Sequence, residues 1–506
     1  MSWLLVAPIA IPLIAAVFTF LAHGHRSAQR LISTAGAAAL LAASVMLLAT
    51  VWSNGIVSAG MGSWPPPFGI NLVADHLSAI MVLLAGVFGF LIVVYALSDI
   101  TPLRERLGFH PFYHMMLAGV SGACLTGDLF NMYVWIDVML IAASALLILG
   151  GDKVQIDGAV KYIVLNIIGT ILLLAGIGLL YGMTGTLNMA ELHLRVREVD
   201  NQGLLSAVAI LFLIALGIKT ALFPLFFWLP ASYHTPPIAI AAIFSALLTK
   251  VGVYALIRVF TLIFTHDIAY THTIILIVAI ITMVTGVLGA AAHNEVRRIL
   301  AFHIISQIGY IILGLGLLTP LSLAGAAYFL VHTVLAKVNL FLIGGVLRRY
   351  CGSFELSAIG GLSRSAPVLA AAFLVSALSL GGMPPLSGFW AKLLLAKASL
   401  DLAEYAAAAA VLGVGLLTLY SMSKIWIQGF WKPPPATMAA EPAPLSKGDL
   451  VVLYGPILVI GGIIIVMGVW AEPFIVAGGR AAADLLDPAR YLEAVLGEDA
   501  VRGGAP

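Results

Sequence analysis

Long apolar stretches, each about the length of a membrane-spanning helix, follow one another along most of the chain. A helix needs about 20 mostly apolar residues to cross the hydrocarbon core of a bilayer. Fourteen such segments lie at roughly 2–22, 30–52, 72–98, 110–126, 128–149, 160–183, 204–229, 235–261, 271–292, 299–318, 322–347, 366–399, 407–430 and 450–475. They are too long for barrel strands of about 10 residues. The pattern therefore predicts an all-α polytopic membrane protein with about 14 transmembrane helices.

The composition excludes a soluble protein and gives no sign of an enzyme. Of the 506 residues, 61% are hydrophobic and 9% are charged, whereas a soluble domain holds about 25% charged residues. The net charge of +2 argues against a nucleic-acid partner. Two cysteines, Cys124 and Cys351, indicate neither a disulfide framework nor a metal cluster. Because no phosphate loop or dinucleotide fingerprint is found, we expect no cofactor, no metal and no catalytic site.

Polar sequence is confined to short connections and to the C-terminal end. Residues 1–475 are predicted to form one transmembrane domain, and residues 476–506 a tail outside the membrane with a short surface helix at Ala482–Leu496. Ser53–Gly69 predicts a turn or hairpin, whereas Thr184–Asn201 and Pro433–Gly448 predict polar loops. No basic residue precedes the first apolar segment, which argues against a cleaved signal peptide.

Basic residues divide unequally between the two sides of the membrane. With the N-terminus outside, fourteen lie in or beside the inner loops and six lie on the outer side. Because Lys and Arg are in excess in cytoplasmic loops, both termini are predicted to lie on the outer side of the cell membrane. The inner set is Arg26, Arg30, Arg104, Arg106, Lys153, Lys161, Arg297, Arg298, Arg348, Arg349, Arg364, Lys424, Lys432 and Lys447, and the outer set is Arg195, Arg197, Arg258, Arg480, Arg490 and Arg502.

Two segments contain prolines that are predicted to break a helix, since proline removes a backbone donor and clashes with the preceding turn. Pro224 follows Lys219 in the seventh segment, and Pro384 precedes Lys392 in the twelfth. Paired broken helices indicate an inverted-repeat transporter. The prediction is two inverted five-helix repeats, helices 4–8 (about 108–261) and helices 9–13 (about 271–430), with helices 7 and 12 broken. The lysine lies on opposite sides of the break in the two repeats, so the halves are not equivalent.

Ionisable side chains occur inside the apolar segments, where each costs roughly 2.5–3.5 kcal/mol to insert and usually marks a route for protons or ions. Asp137 and Lys219 have opposite charges, and such groups at bilayer depth nearly always pair. Loss of the partner favours release of the lysine proton. The two residues are therefore predicted to form a switchable pair, with a static ion pair as the alternative. The set is Asp137, Lys219, Lys250, Lys337, Lys392 and Lys397.

Four of the groups are predicted to continue a proton route from Lys219. Lys250 is expected to exchange protons with that lysine, or otherwise to extend to the membrane interface. His332 and Lys337 are five residues apart on one helix and therefore off a common face, so they are expected to act through water; an embedded histidine is otherwise a core residue. Lys392 is the candidate terminal site.

Four other ionisable residues have plainer interpretations. Lys397 lies near Asp401, so it either joins the route or simply reaches water. His234, at the start of the eighth segment, is either a proton entrance or part of a helix-start loop. Asp128 is expected to cap the fifth segment, and Asp75 receives no role.

Three motifs resemble a known family. They are Leu125-Thr-Gly-Asp-Leu-Phe-Asn131, then Gly217-Ile-Lys-Thr-Ala-Leu-Phe-Pro224 with its continuation to His234, and Ser245 to Lys250-Val-Gly-Val-Tyr. Together they resemble the proton-translocating antiporter-like family, which includes the large membrane-arm subunits of respiratory complex I. The first motif and the chain length are similar to those of the D-type subunits of Mrp-type multisubunit sodium/proton antiporters.

The resemblance implies a fourteen-helix fold and a role for each buried charge. It implies an acidic residue on helix 5 paired with a lysine on helix 7, then a lysine on helix 8, a histidine or lysine on helix 11 and a lysine on helix 12. These roles correspond to Asp137, Lys219, Lys250, His332 with Lys337, and Lys392. The family usually has Glu on helix 5, and Asp137 reaches about 1.5 Å less. Either a water bridges the pair or the helices pack more closely.

The favoured interpretation is a proton-translocating subunit of a Mrp-type sodium/proton antiporter, with the A-, B-, C-, E-, F- and G-type subunits, protons, sodium and membrane lipid as partners. One alternative is a proton-pumping membrane subunit of a complex I-like or hydrogenase redox complex, which neighbouring genes would distinguish. Another is a membrane scaffold without transport, in which neutralising the buried charges changes assembly but not flux. Buried carboxylates are scarce, which favours a sodium path in a partner protein of the complex.

Overall fold

The computed structural model describes residues 2–62, 64, 66–435 and 446–497, and these form a bundle of long helices. We number the helices α1 to α16 and divide the broken ones into a and b. Their bounds are α1 Ser2–Leu21, α2 Arg26–Asn54, α3 His76–Asp99, α4 Phe109–Leu125, α5 Leu129–Ile148, α6 Lys153–Thr184, α7a Gln202–Thr220, α7b Trp228–Ser232, α8 Ile238–Leu262, α9 Ile268–Ala292, α10 Val296–Leu317, α11 Pro320–Cys351, α12a Pro367–Gly381, α12b Ser387–Asp401, α13 Tyr405–Trp431, α14 Lys447–Val469, α15 Glu472–Leu486 and α16 Pro488–Leu496.

The predicted all-α membrane architecture is confirmed. Among the described residues, 12 helices are long and apolar enough to cross a membrane. The two other predicted segments fall outside that set for geometric reasons. Helix α4 has 17 residues, and α12 is divided into two halves of 15 residues each. The inverted relation of the two repeats, at about 108–261 and 271–430, stays a prediction.

Both predicted helix breaks are present, and each lies where the backbone turns. Helix α7a ends at Thr220, and Ala221 adopts a left-handed conformation with φ of 62°. Helix α12a ends at Gly381, followed by Gly382 with φ of 92°. Glycine adopts that conformation without steric cost, and the prolines that follow cannot continue a helical ladder. The breaks leave carbonyl groups free for side chains.

The connections gather at two ends of the bundle, in agreement with alternating membrane crossings. At one end, a cavity of about 830 Å³ is lined by residues from five different connections. We call this the basic end, after Arg104, Arg297, Arg348 and Arg349 on its wall. Residues 436–445 of the predicted loop Pro433–Gly448 lie outside the described part of the chain.

At the opposite end, a short hairpin meets the C-terminal helices. Strands β1 Val57–Gly60 and β2 Asn71–Ala74 pair antiparallel, which confirms the hairpin predicted after α2. The Ser58 hydroxyl contacts the carbonyl of Ala494 in α16. The predicted polar loop at 184–201 contains a short helix, Met189–Arg195.

The C-terminal segment differs from its prediction. Helix α14 ends at Val469 rather than near residue 475, and the single helix expected at 482–496 is two helices. Prolines explain both differences, because Pro473 and Pro488 each lie in the first turn of a new helix, where a missing N–H costs nothing. Helix α15 packs against α11, and His76 at the start of α3 bonds Asp484 at 2.6 Å. Residues beyond Gly497 lie outside the described part.

The centre of the bundle is formed by helices that present almost no surface to lipid. Every residue of α8 is buried, and α10 and α11 are nearly so. In membrane proteins, ionisable residues lie on such interior helices and not on lipid-facing ones. Lys250 and Lys337 lie on two of these helices, α8 and α11, so the fold places them in its interior.

Candidate functional site

A hydroxyl group joins the first two charges. The Thr170 hydroxyl on α6 donates to Asp137 Oδ1 at 2.9 Å and accepts from Lys219 Nζ at 2.7 Å. Among the described residues, no ion pair joins Asp137 directly to Lys219. The sequence suggested a bridging water or closer helices for the short aspartate. The structure instead supplies a threonine, which sequence reasoning missed because a single Thr in an apolar helix carries no signal by itself.

Lys219 also borders a small space towards α8. A cavity of about 10 Å³ is lined by Tyr162, Asn166, Lys219, Trp228 and Gly252, and a space of that order holds about one water molecule. The absence of a side chain at Gly252 permits this close approach, since a Cβ there would lie 2.8 Å from the Thr220 methyl group. Lys219 therefore has an anionic neighbour on one side and room for water on the other.

Lys250 is held by a local distortion of its own helix. Residues Phe244–Leu248 form a π-helical turn, a feature found frequently at functional sites. The Lys250 ammonium donates to the Ser245 carbonyl at 2.7 Å and lies 3.4 Å from the Thr249 hydroxyl. The contact with Ser245 is made by its backbone carbonyl, whereas its hydroxyl has no partner among the described residues. Lys250 is 1% exposed, which excludes extension to the interface.

The two candidates on α11 have different surroundings. His332 Nδ1 lies 2.9 Å from the Ser387 hydroxyl, which contacts the Ser379 hydroxyl at 3.0 Å. Because Ser379 is on α12a and Ser387 begins α12b, the histidine contacts α12b directly and is linked to α12a through the Ser387 hydroxyl. The Lys337 ammonium is fully buried and has no hydrogen-bond partner among the described residues. The structure thus brings His332 to the break, but it does not bond His332 to Lys337.

Lys392 occupies the second break itself. Its ammonium donates to the carbonyls of Leu380 at 2.9 Å and Gly381 at 2.8 Å, and it lies 5.5 Å from the centre of the Tyr310 ring. The carbonyls are those that the break frees, and the aromatic face adds a cation–π attraction. The described residues give Lys392 no acidic partner, so its ammonium is stabilised by neutral groups.

Further polar atoms are buried around these lysines without a protein partner in the described part of the chain. Buried polar groups normally bond to protein or to ordered water, so these atoms mark positions at which water can link the charges. Sequence reasoning missed His303, whose Nε2 lies 2.5 Å from the Ser421 hydroxyl on α13. The atoms on α8, α10 and α11 are Ser245 Oγ, His303 Nδ1, Gln307 Oε1 and Nε2, His332 Nε2, Thr333 Oγ1 and Asn339 Oδ1.

The remaining candidates lie outside this set. Lys397 pairs with Asp401 at 2.6 Å on an exposed surface, so it simply reaches water. Asp128 caps α5 by accepting from the Asn131 N–H at 2.8 Å, as predicted. His234 Nδ1 bonds the Pro230 carbonyl at 2.8 Å and lines a cavity of about 350 Å³ at the basic end. Asp75 caps α3 and pairs with buried Arg258.

The chain has many relatives among known proteins. The family described as NADH:quinone oxidoreductase/Mrp antiporter, TM, matches residues 126–418. The D-type subunit of the Na(+)/H(+) antiporter of Alkalihalophilus pseudofirmus is 46% identical over 98% of this chain and 100% of its own length. The protein of the same name from Bacillus subtilis is 40% identical over 98% of this chain and 100% of its own.

Solved structures also match the chain to this family. A chain of the Mrp complex from Dietzia sp. DQ12-45-1b has a TM-score of 0.90 at 33% identity, covering 98% of this chain and 100% of that one. A chain of respiratory complex I from Thermus thermophilus, at 24% identity, has a TM-score of 0.81 over 96% of this chain and 100% of its own, and shares the fold. The chain belongs to the NADH:quinone oxidoreductase/Mrp antiporter family and, within it, to the D-type subunits of Mrp-type antiporters.

Proposed function

We propose that this chain translocates protons as the D-type subunit of a Mrp-type sodium/proton antiporter, in a complex with the other Mrp subunits of types A, B, C, E, F and G. The chain is a multi-pass membrane protein, and its basic end is assigned to the cytoplasm because Lys and Arg are in excess in cytoplasmic loops. The observation that carries the function is the set of ionisable groups inside the bundle, from half-buried Asp137 on α5 to buried Lys392 on α12b.

The proposed sequence of events begins at Asp137 and Lys219. While the pair is closed, each charge stabilises the other. When Lys219 turns towards α8, it loses its anionic neighbour, and release of its proton becomes favourable. The proton passes to Lys250, then through water beside Lys337 and His332, and reaches Lys392. This sequence uses the site residues Asp137, Lys219, Lys250, His332, Lys337 and Lys392, without catalytic chemistry or a cofactor.

Lys392 differs from Lys219 in a way that suits the end of a route. Its ammonium donates to two backbone carbonyls, whereas that of Lys219 is linked to a carboxylate through the Thr170 hydroxyl. A neutral amine has a lone pair and gains less from carbonyl acceptors than an ammonium does. The hydrogen bonds to the two carbonyls therefore form when a proton arrives at Lys392. When the proton is released, these hydrogen bonds weaken and the Lys392 side chain can move.

The test measures proton movement in everted vesicles that contain the whole complex. Sodium is added to a preformed pH gradient, and its collapse is followed by a pH-sensitive dye. We expect collapse in the wild type, no collapse in Asp137→Asn and Lys219→Ala, and wild-type behaviour in Lys397→Ala, whose lysine is exposed. Co-purification of the other subunits checks assembly. Sodium-driven collapse in Lys219→Ala would remove that residue from the route.

The alternative function, a proton-pumping subunit of a redox complex, predicts a different response in the same vesicles. In that case the wild type would not respond to sodium and would form a gradient only when a reductant was supplied. The fold is shared with a complex I chain at 24% identity, but the relatives that match at 40% and 46% are named as antiporter subunits. The antiporter function is therefore favoured.

A further inference from the structure

The contact between Asp137 and Lys219 depends on a third residue in this chain. Thr170 is buried on α6, and its hydroxyl is the only group that the described residues place in hydrogen-bond contact with both charges. A hydroxyl has one proton to donate and two lone pairs. Because the ammonium can only donate and the carboxylate can only accept, the hydroxyl must donate to Asp137 and accept from Lys219.

The geometry shows why the hydroxyl is needed. With hydrogen bonds of 2.7 and 2.9 Å that meet at Oγ1, a tetrahedral arrangement leaves the Lys219 nitrogen roughly 4.6 Å from the Asp137 oxygen, beyond hydrogen-bond distance. At Gly169, next to Thr170, a Cβ would lie 3.1 Å from the Ile218 side chain on α7a, so α6 and α7a are already in close contact.

We propose that Thr170 is a positioning and relay residue that lets the short Asp137 serve where a longer acidic side chain would contact Lys219 directly. The inference rests on the proposed function. In the relay step, an N–H bond of the Lys219 ammonium breaks as an O–H bond forms at Thr170 Oγ1, and the original Thr170 O–H bond breaks as one forms at Asp137 Oδ1. The net result is one proton moved from lysine to aspartate, with threonine unchanged.

The relay gives the pair a neutral state. Two opposite charges at bilayer depth hold each other strongly, because little water screens them. After the relay step both groups are neutral, and the same neutral state forms when Lys219 has passed its proton to Lys250 and Asp137 has taken up a new one. Transfer in the opposite direction restores the ion pair. Thr170 therefore acts on the rate at which Lys219 regains a proton, in addition to holding the pair together.

The decisive experiment is a compensation test with the complete complex in everted vesicles. Thr170→Val keeps the shape of the side chain and removes the hydroxyl, so we expect sodium-driven proton movement to fall at least tenfold. Thr170→Ser restores the hydroxyl and should recover most of the activity. Thr50→Val is the matched control, because the Thr50 hydroxyl is exposed and, among the described residues, bonds just the Met46 carbonyl of its own helix.

The second arm lengthens the acid. Asp137→Glu adds one carbon–carbon bond, about 1.5 Å, which brings the carboxylate to roughly 3.1 Å from the lysine, within hydrogen-bond distance. We therefore expect Asp137→Glu combined with Thr170→Val to recover at least half of the activity that Thr170→Val loses. If the Thr170 hydroxyl only stabilised the fold, a longer acidic side chain at residue 137 would not be expected to restore the activity.

The outcomes separate this inference from the proposed function. If the wild type responds to sodium but Thr170→Val does so equally, or if the double variant remains as inactive as Thr170→Val in an assembled complex, the relay is wrong and the antiporter function stands. If the wild type gives no sodium response, the proposed function fails first, and the relay fails with it.

Discussion

Replacing Arg258 by methionine tests whether the charges at the end of α8 stabilise the fold. Arg258 and Asp75 form an ion pair in which both side chains are at most 4% exposed. The guanidinium also lies 5.1 Å from the Tyr491 ring centre on α16, and so it connects three parts of the chain. Removing one partner of a buried pair leaves an uncompensated charge, which typically costs about 3–5 kcal/mol.

The lower part of that range applies here. Asp75 keeps its capping interaction after the substitution, since it still accepts from the Ser78 N–H at 2.8 Å. That bond continues to stabilise the carboxylate, so we expect a loss of about 3 kcal/mol in the free energy of unfolding. The control is Lys397→Met, which removes an exposed pair with Asp401 on one helix. Pairs of that kind contribute about 0.3–0.5 kcal/mol.

The assay is unfolding of the detergent-purified complex by increasing SDS, followed by tryptophan fluorescence. Arg258→Met should unfold at a clearly lower SDS fraction than the wild type, and Lys397→Met at nearly the same one. Adding Asp75→Asn to Arg258→Met removes the unpaired charge and should recover part of the loss. The reasoning is refuted if Arg258→Met and Lys397→Met unfold together, or if the double variant is less stable than Arg258→Met.

Two further predictions concern the second break and the basic end. Gly388→Ala places a methyl group 1.8 Å from the Ser379 carbonyl, so it should displace α12b and abolish sodium-driven proton movement, whereas Gly413→Ala, with open space around it, should leave transport intact. Burial alone would raise the pKa of Glu105, but His110, Arg30 and Arg26 beside it lower that pKa from 4.5 to about 2. Because the folded-state pKa is depressed, the stabilisation is complete above about pH 4.5 and is lost as the pH falls towards 2. The wild type should therefore lose stability across that range, and Glu105→Gln should lose less of it, as measured by thermal melting at each pH.

Much of the fold could be predicted because membrane helices are set by short-range sequence features. Apolar length decides where a helix crosses, and the prolines at 224 and 384 decide where it breaks. The tail was less predictable. Its division at Asp487 follows from Pro488, but its docking depends on contacts between distant parts of the chain, such as that of His76 with Asp484. No local pattern encodes such a contact.

The candidate site was predictable in its charges but not in its connections. Buried lysines are conspicuous in apolar sequence, so Lys219, Lys250 and Lys392 were found without a structure. The groups that hold them are mostly neutral. Thr170 contacts Lys219, and the carbonyls of Ser245 and Gly381 accept from Lys250 and Lys392. A carbonyl is present at every residue, and only a π turn or a helix break makes it available.

This dependence on neutral acceptors explains how several lysines can occupy one apolar interior when the described residues place a single aspartate, Asp137, beside them. If a carboxylate lay beside each lysine, every ion pair would be too stable to separate readily. Separation would leave two unpaired charges at low dielectric. Carbonyl dipoles stabilise an ammonium less strongly, so the proton can leave at a smaller cost. Only the first lysine of the proposed route has an anionic partner among the described residues, and there Thr170 separates the charges. In the proposed route, strong pairing is therefore confined to the position that is held closed, whereas Lys250 and Lys392, which pass the proton on, have weaker dipolar contacts.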